Sequence, residues 1–525
     1  MSYTRLVFLI IVLAAAGTIS AQPTAPVALA APRFTDPARA DKLRTAFAEI
    51  DLLFQEFAGK SHVPGIAWGI VIDGALAHSG AHGYRDVAAK ASVDEDTVFR
   101  IASMTKSFTA LCILKLRDEG KLSLDDPAER YVPELKALQY PTADSPRITV
   151  RHLLSHAEGW PEDNAWGDRQ LAVSDEQMNE MLRRGLPFSN APGLAYEYSN
   201  FGFAILGRIV ARVSGMPYSR YVSENILRPL GMASTTMAPA SVPRAKLALG
   251  YRWEDGTWKE EPQLADGAFG PMGGMLTSIR DLSRYVAFHL SAWPPRDDAD
   301  TGPVRRASVR EMQQAWRMAP ALARRGDTAE KMLLNSGGYG FGLRISQTCD
   351  FRHVVAHSGG LPGFGSQMRW LPEHSVGIIA LGNLTYTGWG TTIDQVVAAL
   401  QRTGGLQPRA VQPSPALTDA RAAVTRLITA WDDQLADRIA ADNLFVDRTK
   451  DQRRQEIEQF RAELGTCQPE EAFEVENALR GRWIMKCDRG MLRAAVTLAP
   501  TMPPKVQAIE IAPYTPSQDA GGTCR

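Results

Sequence analysis

The sequence predicts a mixed α and β protein whose main sheet is assembled from strands at distant points of the chain. Short strand-like runs occur near residues 65–84 and again near 353–381, and stretches with helical periodicity occupy much of the sequence between them. A proline-rich linker at 406–415 separates this segment from a second one, at 416–525, which is first helical and then strand-like. The expected fold class is therefore α/β (α+β), followed by a small α+β domain.

The composition is that of an ordinary globular chain with several domains. Its 525 residues contain 58 Lys and Arg against 58 Asp and Glu, so the formal net charge is zero. This balance disfavours nucleic acid as a partner, because phosphate recognition needs clustered positive charge. The length exceeds the size at which single hydrophobic cores stop growing, so two or more domains are expected.

The first 21 residues have the pattern of a secretory signal peptide. Arg5 precedes the apolar run Leu6–Ala16, and small residues then lead to Ala21. The apolar run is shorter than the roughly 20 residues that span a bilayer, which disfavours a membrane anchor. We expect cleavage near Ala21, a linker over 22–39, and a periplasmic or extracellular protein without stable membrane insertion.

Export would permit disulfide bonds, and the five cysteines allow one pairing to be predicted. Cys467 and Cys487 flank two short predicted elements, and we expect them to be bonded. Cys112 lies in an apolar helical stretch, so we expect it to be a buried small hydrophobic residue.

Local signals predict individual elements of the long first segment. Asp73-Gly74 is a strong turn signal between two apolar runs, which predicts a hairpin. Helical spacing predicts a helix over 103–118, and Thr149 is the expected N-cap of another helix that reaches His156. Three strand-like runs and a further helix follow between 353 and 401.

Ser103 and Lys106 form the first motif that carries chemistry. Residues three apart on a helix share a face, so the Lys106 amine can reach the Ser103 hydroxyl. A partly desolvated lysine can lose its proton near neutral pH and accept one from the serine. Because this spacing also arises by chance, it needs support from other parts of the chain.

Tyr198 and Asn200 form the second motif, directly before an apolar helical stretch. A tyrosine there can shuttle a proton once a nearby cation lowers its pKa, and an asparagine can hold a substrate amide. The alternative is a structural loop tyrosine followed by a helix-capping asparagine.

His357 opens the third motif and is followed by Ser358, Gly359 and Gly360 at the end of a predicted strand. The glycines would let a substrate backbone approach, and an exposed N–H group could stabilise an oxyanion. The tripeptide His-Ser-Gly also occurs at 78–80, so the string by itself is not diagnostic.

In this order the three motifs resemble those of the serine β-lactamase and penicillin-binding-protein superfamily, closest to its class C β-lactamase, D,D-carboxypeptidase and esterase branch. The segment 99–106 resembles the nucleophile segment of that family, and 149–156 resembles the helix after it. Residues 274–282 and 359–363 also fit, so the resemblance covers about 40–403.

The resemblance implies a domain at 40–405 with an antiparallel sheet flanked by helices and an all-helical subdomain over about 121–290. It implies acyl transfer through a covalent acyl-enzyme, without a metal or an organic cofactor, on a small-molecule or peptide substrate. The segment 416–525 resembles accessory domains of such hydrolases, and we liken it to the nuclear-transport-factor fold.

The resemblance also assigns roles to residues. Ser103 would be the acylated nucleophile, Lys106 its base, and Tyr198 the relay that carries a proton to the leaving group and back from water. The residues that it implies for substrate binding are Asn200, His357, Gly359 and Gly360. The backbone N–H groups of Ser103 and Gly360 would form the oxyanion hole.

His357 departs from the lysine that β-lactamases usually have at this position. A histidine is only partly charged at neutral pH, so we expect carboxylate recognition to be weaker or pH-dependent. This favours an esterase, D,D-peptidase or D-aminopeptidase, with β-lactam hydrolysis as a further option.

Other residues near the motifs indicate a function less specifically. Glu158 stands where relatives commonly carry a small hydroxyl residue, and we expect it near the mouth of the cleft. Trp160 and Trp166 either line the pocket or serve packing. His152 and His156 have a spacing that can bind zinc, but no acidic third ligand is placed convincingly, so metal binding is disfavoured.

An alternative function is a binding or sensor protein of the same fold that is acylated but deacylates slowly, with the C-terminal domain as an interaction module. The presence of Ser103, Lys106 and Tyr198 together argues against an inactive scaffold. These residues do not decide the rate of deacylation, and no motif indicates an oligomeric state.

Overall fold

The computed structural model describes residues 30–325 and 332–516. The chain divides between residues 410 and 411 into two units, called here the N-terminal unit and the C-terminal unit. The predicted signal peptide lies outside the described residues. Among the helices of the described ranges, none is both long and apolar enough to cross a membrane.

The N-terminal unit is built on thirteen strands within its described residues. They are β1 (Gly65–Ile72), β2 (Ala75–Asp86), β3 (Ala91–Ser92), β4 (Phe99–Arg100), β5 (Gly250–Glu254), β6 (Thr257–Glu261), β7 (Leu276–Thr277), β8 (Arg317–Arg325), β9 (Met332–Tyr339), β10 (Arg344–Thr348), β11 (Val354–Leu361), β12 (Phe364–Leu371) and β13 (Val376–Gly382). Nine of them form one antiparallel sheet in the order β3-β2-β1-β13-β12-β11-β10-β9-β8.

The helices of this unit cover both faces of the sheet. They are α1 (Arg39–Arg44), α2 (Phe47–Lys60), α3 (Thr105–Asp118), α4 (Val150–Leu154), α5 (Asn164–Gly167), α6 (Asp175–Arg184), α7 (Asn200–Ser214), α8 (Tyr218–Val222), α9 (Gly270–Gly273), α10 (Ile279–Ser291), α11 (Arg306–Met312) and α12 (Gly390–Arg402). α2 and α12 pack together on one face, and α10 packs on the other.

Strand β1 shows why the sheet is buried on both faces. Its side chains alternate between two cores: Ile66, Trp68 and Ile70 pack in the core of α2 and α12, and Ala67 and Val71 pack in the core of α10. A strand covered on both faces reads as a continuous apolar run, as this one does. Its partners are β2, through the predicted turn, and β13 from the far end of the chain, which confirms the expected sheet.

Helix α3 is the centre of the helical layer. Eleven of its residues are buried, and it packs against α7 and α9. Ser103 lies directly before it, in a 3₁₀ turn over Ala102–Met104. The helix thus holds the nucleophile candidate at a fixed point between the sheet and the helical layer.

The expectation of an all-helical subdomain over 121–290 is wrong in detail. β5 and β6 form a hairpin there, closed by Asp255 and Gly256, both with positive φ. Trp253 and Trp258 face each other across it, a cross-strand pair of the kind that stabilises hairpins. The short strand β7 also pairs with β4.

In the main sheet, strands β8, β9 and β10 and the two-residue strand β3 were also not predicted. β8 and β9 extend the sheet beyond β10, and a bulge separates Ala319 from Leu322 in β8. Pro320 and several exposed side chains weaken the alternation that marks a strand, which is typical of a sheet edge.

The C-terminal unit contains three helices followed by a four-stranded antiparallel meander. These elements are α13 (Pro415–Thr429), α14 (Asp433–Ile439), α15 (Lys450–Leu464), β14 (Cys467–Asn477), β15 (Arg480–Cys487), β16 (Gly490–Leu498) and β17 (Val506–Pro513). The helical run expected over 416–441 is two helices, because Asp432 accepts hydrogen bonds from Gln434 and Leu435 and caps a new one.

The predicted disulfide is confirmed. Cys467 and Cys487 are directly opposite each other in the register of β14 and β15, and they are bonded. Cys112 is a free, buried thiol in α3, also as expected. The core of the unit is formed by apolar side chains such as Leu417 and Trp483.

Candidate active site

Ser103 is held in place by the strand behind it. Ala102 has a left-handed φ of +48°, an uncommon conformation for a residue with a side chain. Ser366 on β12 donates a hydrogen bond of 2.8 Å to the carbonyl of Ile101. Gly359 lies so close that a Cβ atom there would come within 2.1 Å of the same carbonyl oxygen. The turn that presents Ser103 is therefore clamped against β11 and β12.

Lys106 lies one turn further on, with its amine pointing at the Ser103 hydroxyl. Its Nζ atom is 3.0 Å from Ser103 Oγ, 2.6 Å from Asn200 Oδ1 and 2.9 Å from the Met272 carbonyl oxygen. The side chain is fully buried, and burial lowers its pKa to about 7, although Asp168 and Asp163 act in the opposite direction. A substantial fraction of Lys106 is therefore neutral near neutral pH.

Tyr198 also lies close to the Lys106 amine. The lysine Nζ is 4.8 Å from the centre of the tyrosine ring. Burial raises the pKa of Tyr198 well above its usual value, and hydrogen bonding to Ser103 opposes this only in part. The expected lowering of this pKa by a nearby cation is thus outweighed by burial, and the phenol stays protonated.

Asn200 is the first residue of α7, and this helix begins with an unusually complete cap. Ser199 Oγ accepts from the Gly202 N–H at 3.2 Å, while the Asp163 carboxylate accepts from the backbone N–H groups of Asn200 and Phe201 at 2.6 and 2.9 Å. A carboxylate is stabilised at a helix N-terminus by the free N–H groups and the helix dipole. This cap fixes the backbone that presents Asn200 to Lys106.

Both polar atoms of the Asn200 side-chain amide form hydrogen bonds. Its Oδ1 accepts from Lys106, and its Nδ2 donates to Asn164 Oδ1 at 3.1 Å. Gly167 packs against it so closely that a Cβ atom would lie 2.8 Å from the Asn200 Cβ. The side chain therefore orients Lys106 as well as facing the site.

Strand β11 carries the third motif and forms one wall of the site. It pairs with β10 only over Val354–Ala356, and among the described residues no strand pairs with that edge beyond Ala356. His357, Gly359 and Gly360 lie on the part that follows. An unpaired strand edge offers N–H and C=O groups to a ligand, as an oxyanion hole at Gly360 requires.

His357 is neutral, which differs from the partial charge expected from sequence. Its Nδ1 lies 2.6 Å from the Ser358 carbonyl oxygen, which can only accept, so Nδ1 carries the proton. Its Nε2 then accepts from the Tyr339 hydroxyl at 2.9 Å. Burial, together with the positive charges of Arg344 and Lys106, lowers its pKa well below the usual value. The side chain supplies no cation for a substrate.

Arg344 supplies the positive charge that His357 lacks. It is exposed at the start of β10, opposite Ala356 in the register, and its guanidinium carbon lies 5.8 Å from the centre of the Tyr198 ring. Arg344 could not be predicted as a site residue, because no local signal in the sequence indicates that β10 lies beside β11.

Asp163 and Asp168 are two more site residues that the sequence did not reveal. Both belong to the loop region around α5, and both act electrostatically on Lys106. Burial raises the pKa of Asp168 to about 6, and the charge of Lys106 opposes that rise. Only the fold brings this segment to the start of α7.

Glu158 and His156 are buried behind the site rather than at its mouth, which corrects the expectation for Glu158. The Glu158 carboxyl lies over Gly202, and burial raises its pKa well above the usual value. His156 has a positive φ of 54°, so it lies beyond the end of α4 and does not share a helix face with His152. Its Nδ1 accepts from the Ser199 N–H.

Trp160 and Trp166 line a cavity of about 460 Å³ beside the start of α7, together with Phe201 and Asp163. Ser103 is not among the residues that line it. The two tryptophans therefore border a separate apolar space next to the site.

A match to a known protein family agrees with this arrangement of Ser103, Lys106 and Tyr198. The model of the family described as Beta-lactamase matches residues 50–402, well over half of the chain. The chain therefore belongs to this family, which confirms the superfamily resemblance drawn from the motifs.

Two individual relatives match part of this chain. Protein Flp of Staphylococcus aureus (strain COL) is 30% identical over 341 residues, which is 64% of this chain and 63% of that protein. Beta-lactamase-like protein 2 of Dictyostelium discoideum is 29% identical over 366 residues, or 67% of this chain and 62% of that protein. The chain thus matches less than two thirds of the length of these relatives.

A solved structure shares the fold. The octameric penicillin-binding protein homologue from Pyrococcus abyssi matches with a TM-score of 0.58 and 21% identity, over 89% of this chain and 98% of that one. At this identity the likeness concerns the fold, and it agrees with the expected antiparallel sheet flanked by helices.

Proposed function

We propose that this protein is a serine hydrolase that forms an acyl-enzyme on Ser103 and releases it with water. The observation that carries the proposal is the 3.0 Å contact between Ser103 Oγ and the buried Lys106 amine, whose pKa is about 7. A serine next to a partly neutral amine is an activated nucleophile. Membership of the Beta-lactamase family supports the same chemistry.

Acylation follows from the contacts of these two residues. Neutral Lys106 takes the proton of Ser103 Oγ as the oxygen attacks the substrate carbonyl carbon. The negative charge that forms on the carbonyl oxygen is stabilised by the backbone N–H groups of Ser103 and Gly360. Tyr198, a protonated phenol, donates its proton to the leaving group as the carbonyl–leaving group bond breaks. The proton held by Lys106 then returns to Tyr198.

Deacylation uses the same groups in reverse. A water molecule attacks the ester carbonyl and gives a proton to Lys106, directly or through Tyr198. The Ser103 oxygen takes that proton back as the acyl–oxygen bond breaks, and the acid product leaves. The neutral state of Lys106 is needed in both halves, so its pKa sets the acid limb of the pH profile.

The substrate class that we propose is an ester or amide with a nearby carboxylate. Arg344 is always charged, and it is exposed beside Tyr198 on the strand next to β11. A guanidinium binds a carboxylate through two parallel hydrogen bonds. Because the charge comes from Arg344 and not from His357, carboxylate recognition should be nearly independent of pH between 6 and 9.

Acyl-enzyme trapping tests the reaction itself. The purified chain is treated with a fluorescent penicillin or a 4-nitrophenyl ester, and the label on Ser103 is followed by mass spectrometry over time. Labelling followed by rapid release supports a hydrolase. Persistent label supports the acylated sensor, and absence of label in the wild-type chain contradicts both.

Arg344→Met tests the substrate class, with Arg352→Met, an exposed arginine beside β11, as matched control. A panel of D-Ala-D-Ala peptides, D-amino-acid amides, nitrocefin and neutral aryl esters separates the options. We expect Arg344→Met to raise KM for the carboxylate substrates about tenfold or more and to leave neutral esters unchanged. An equal effect on both groups would contradict carboxylate recognition.

Export is part of the proposal. The signal-like sequence before Ala21 and the bond between Cys467 and Cys487 both favour an oxidising compartment. The proposed location is the periplasm or the cell exterior. Fractionation followed by sequencing of the mature N-terminus tests it, and a full-length chain in the cytosol would contradict it.

A further inference from the structure

Tyr386 is a strained residue that the proposed mechanism does not use. Its φ is +53°, a conformation that a bulky side chain rarely adopts. Such outliers cluster at functional sites, where neighbouring groups enforce them. Tyr386 lies after β13, in a loop that ends before α12.

Hydrogen bonds on both sides hold the loop in this conformation. The Tyr386 N–H donates to the Phe364 carbonyl at 3.2 Å, and Thr385 Oγ1 accepts from the Gly363 N–H at 2.8 Å. Thr387 Oγ1 donates to the Leu384 carbonyl at 2.7 Å. The strain is thus enforced by contacts with the β11–β12 hairpin and within the loop.

The ring of Tyr386 lies directly over Gly360. A Cβ atom on Gly360 would come within 2.7 Å of Tyr386 Cδ1. Gly365, the register partner of Gly360, is equally constrained, since a Cβ atom there would lie 2.5 Å from the Thr387 backbone nitrogen. Because neither glycine has a side chain, the loop can pack directly on the backbone of β11 and β12. This explains why the motif ends in glycine.

Part of the Tyr386 side chain is open to solvent. Tyr386 is 46% exposed. Burial raises the pKa of Asp168, and Tyr386 acts on that pKa in the opposite direction. The tyrosine therefore packs on the strand that carries Gly360 and keeps part of its ring accessible to a ligand.

We infer that Tyr386 is a specificity-determining residue whose ring limits the bulk of the groups attached to the reacting carbonyl. The inference rests on the proposed hydrolase function. On this proposal, a carbonyl whose oxygen contacts the Gly360 N–H extends one of its substituents to the exposed part of the ring. One additional or missing methylene group in a shaped pocket changes kcat/KM by roughly 10–200-fold, so a ring of this size has a measurable effect.

Three variants test the inference. Tyr386→Gly removes the ring and the strain, Tyr386→Phe removes only the hydroxyl, and Lys90→Gly, at an exposed turn with φ of +49°, relieves similar strain elsewhere. The kcat/KM is measured with 4-nitrophenyl esters of increasing acyl length and with acetate esters of increasing leaving-group size. Circular dichroism melting confirms that each variant folds.

We expect Tyr386→Gly to raise the ratio of bulky to small substrates at least about tenfold in one of the two series, while Tyr386→Phe and Lys90→Gly keep the wild-type ratio. A constant ratio in Tyr386→Gly, with an active wild-type chain, would overturn the inference alone. An inactive wild-type chain that is not acylated on Ser103 would overturn the proposed function instead.

Discussion

The two units of the chain bury different kinds of side chain. In the N-terminal unit, Lys106, His156, Glu158 and His357 are all buried, either in the site or behind it. In the described part of the C-terminal unit, Ser414 is the buried polar residue, and it caps α13 through the Leu417 N–H. Buried ionisable groups cost free energy of folding, so a unit retains them where they serve chemistry.

This difference in buried side chains indicates different roles for the two units. Around Ser103 the packing shifts the pKa values of an amine, of carboxyl groups and of imidazoles, as the proposed chemistry requires. The C-terminal core is held by apolar side chains around Trp483 and by the bond between Cys467 and Cys487. We expect chemistry to depend on the first unit and stability of the second to depend on ordinary packing.

The largest expected effect comes from Ser103→Ala. Because the nucleophile is lost, hydrolysis of any ester should fall at least about a thousandfold, and no acyl-enzyme should form. The melting temperature should stay within about 2 °C, since the change removes one hydroxyl. Turnover at the wild-type rate in this variant would contradict the role of Ser103. It would also contradict the assignment of the chemistry to the N-terminal unit.

Trp483→Ala probes the other unit. Truncation of a fully buried tryptophan should cost about 3–5 kcal/mol of the free energy of unfolding of the C-terminal unit. Urea unfolding followed by circular dichroism measures this, with Trp483→Phe as the milder control. Hydrolysis of a small ester should persist, because Ser103 and its partners lie in 31–410. Its loss at a urea concentration that unfolds only the C-terminal unit would show that chemistry depends on both.

The wild-type pH profile tests the protonation state of Lys106. Its pKa of about 7 means that the amine is mostly protonated, and inactive as a base, below that pH. The kcat/KM for a neutral ester should therefore fall about tenfold for each unit of pH below 7 and level off above 8. A profile that is flat from pH 5 to 8 would contradict the role of Lys106 as the base.

The smallest expected effect is a shift of that profile in Asp168→Asn. The Asp168 carboxylate raises the pKa of Lys106, so its loss should lower that pKa and move the acid limb to lower pH. Asp394→Asn, an exposed carboxylate on α12, should leave the limb in place. Movement of the limb to higher pH would contradict the electrostatic role of Asp168.

Local signals in the sequence were enough for several elements. The dipeptide Asp73-Gly74 predicted the first hairpin, and strand-like runs separated by turns with Gly or Pro predicted β11, β12 and β13. The spacing of Ser103 and Lys106 predicted a contact that the structure places at 3.0 Å. Weak signals failed: the β5–β6 hairpin and strands β8, β9 and β10 were missed. Exposed positions blur the alternation of these strands, and the pairing of the edge strand β8 with β9 also contains a bulge.

The sequence by itself determined the order of the three motifs, the family resemblance and the cysteine pair, since each depends on residue type and spacing along the chain. The tertiary structure decided that His357 is neutral, that the Arg344 guanidinium lies near Tyr198, and that Asp163 caps α7. It also placed Tyr386 over Gly360. Protonation state and contact depend on burial and on neighbours far away in sequence, so only folding settles them.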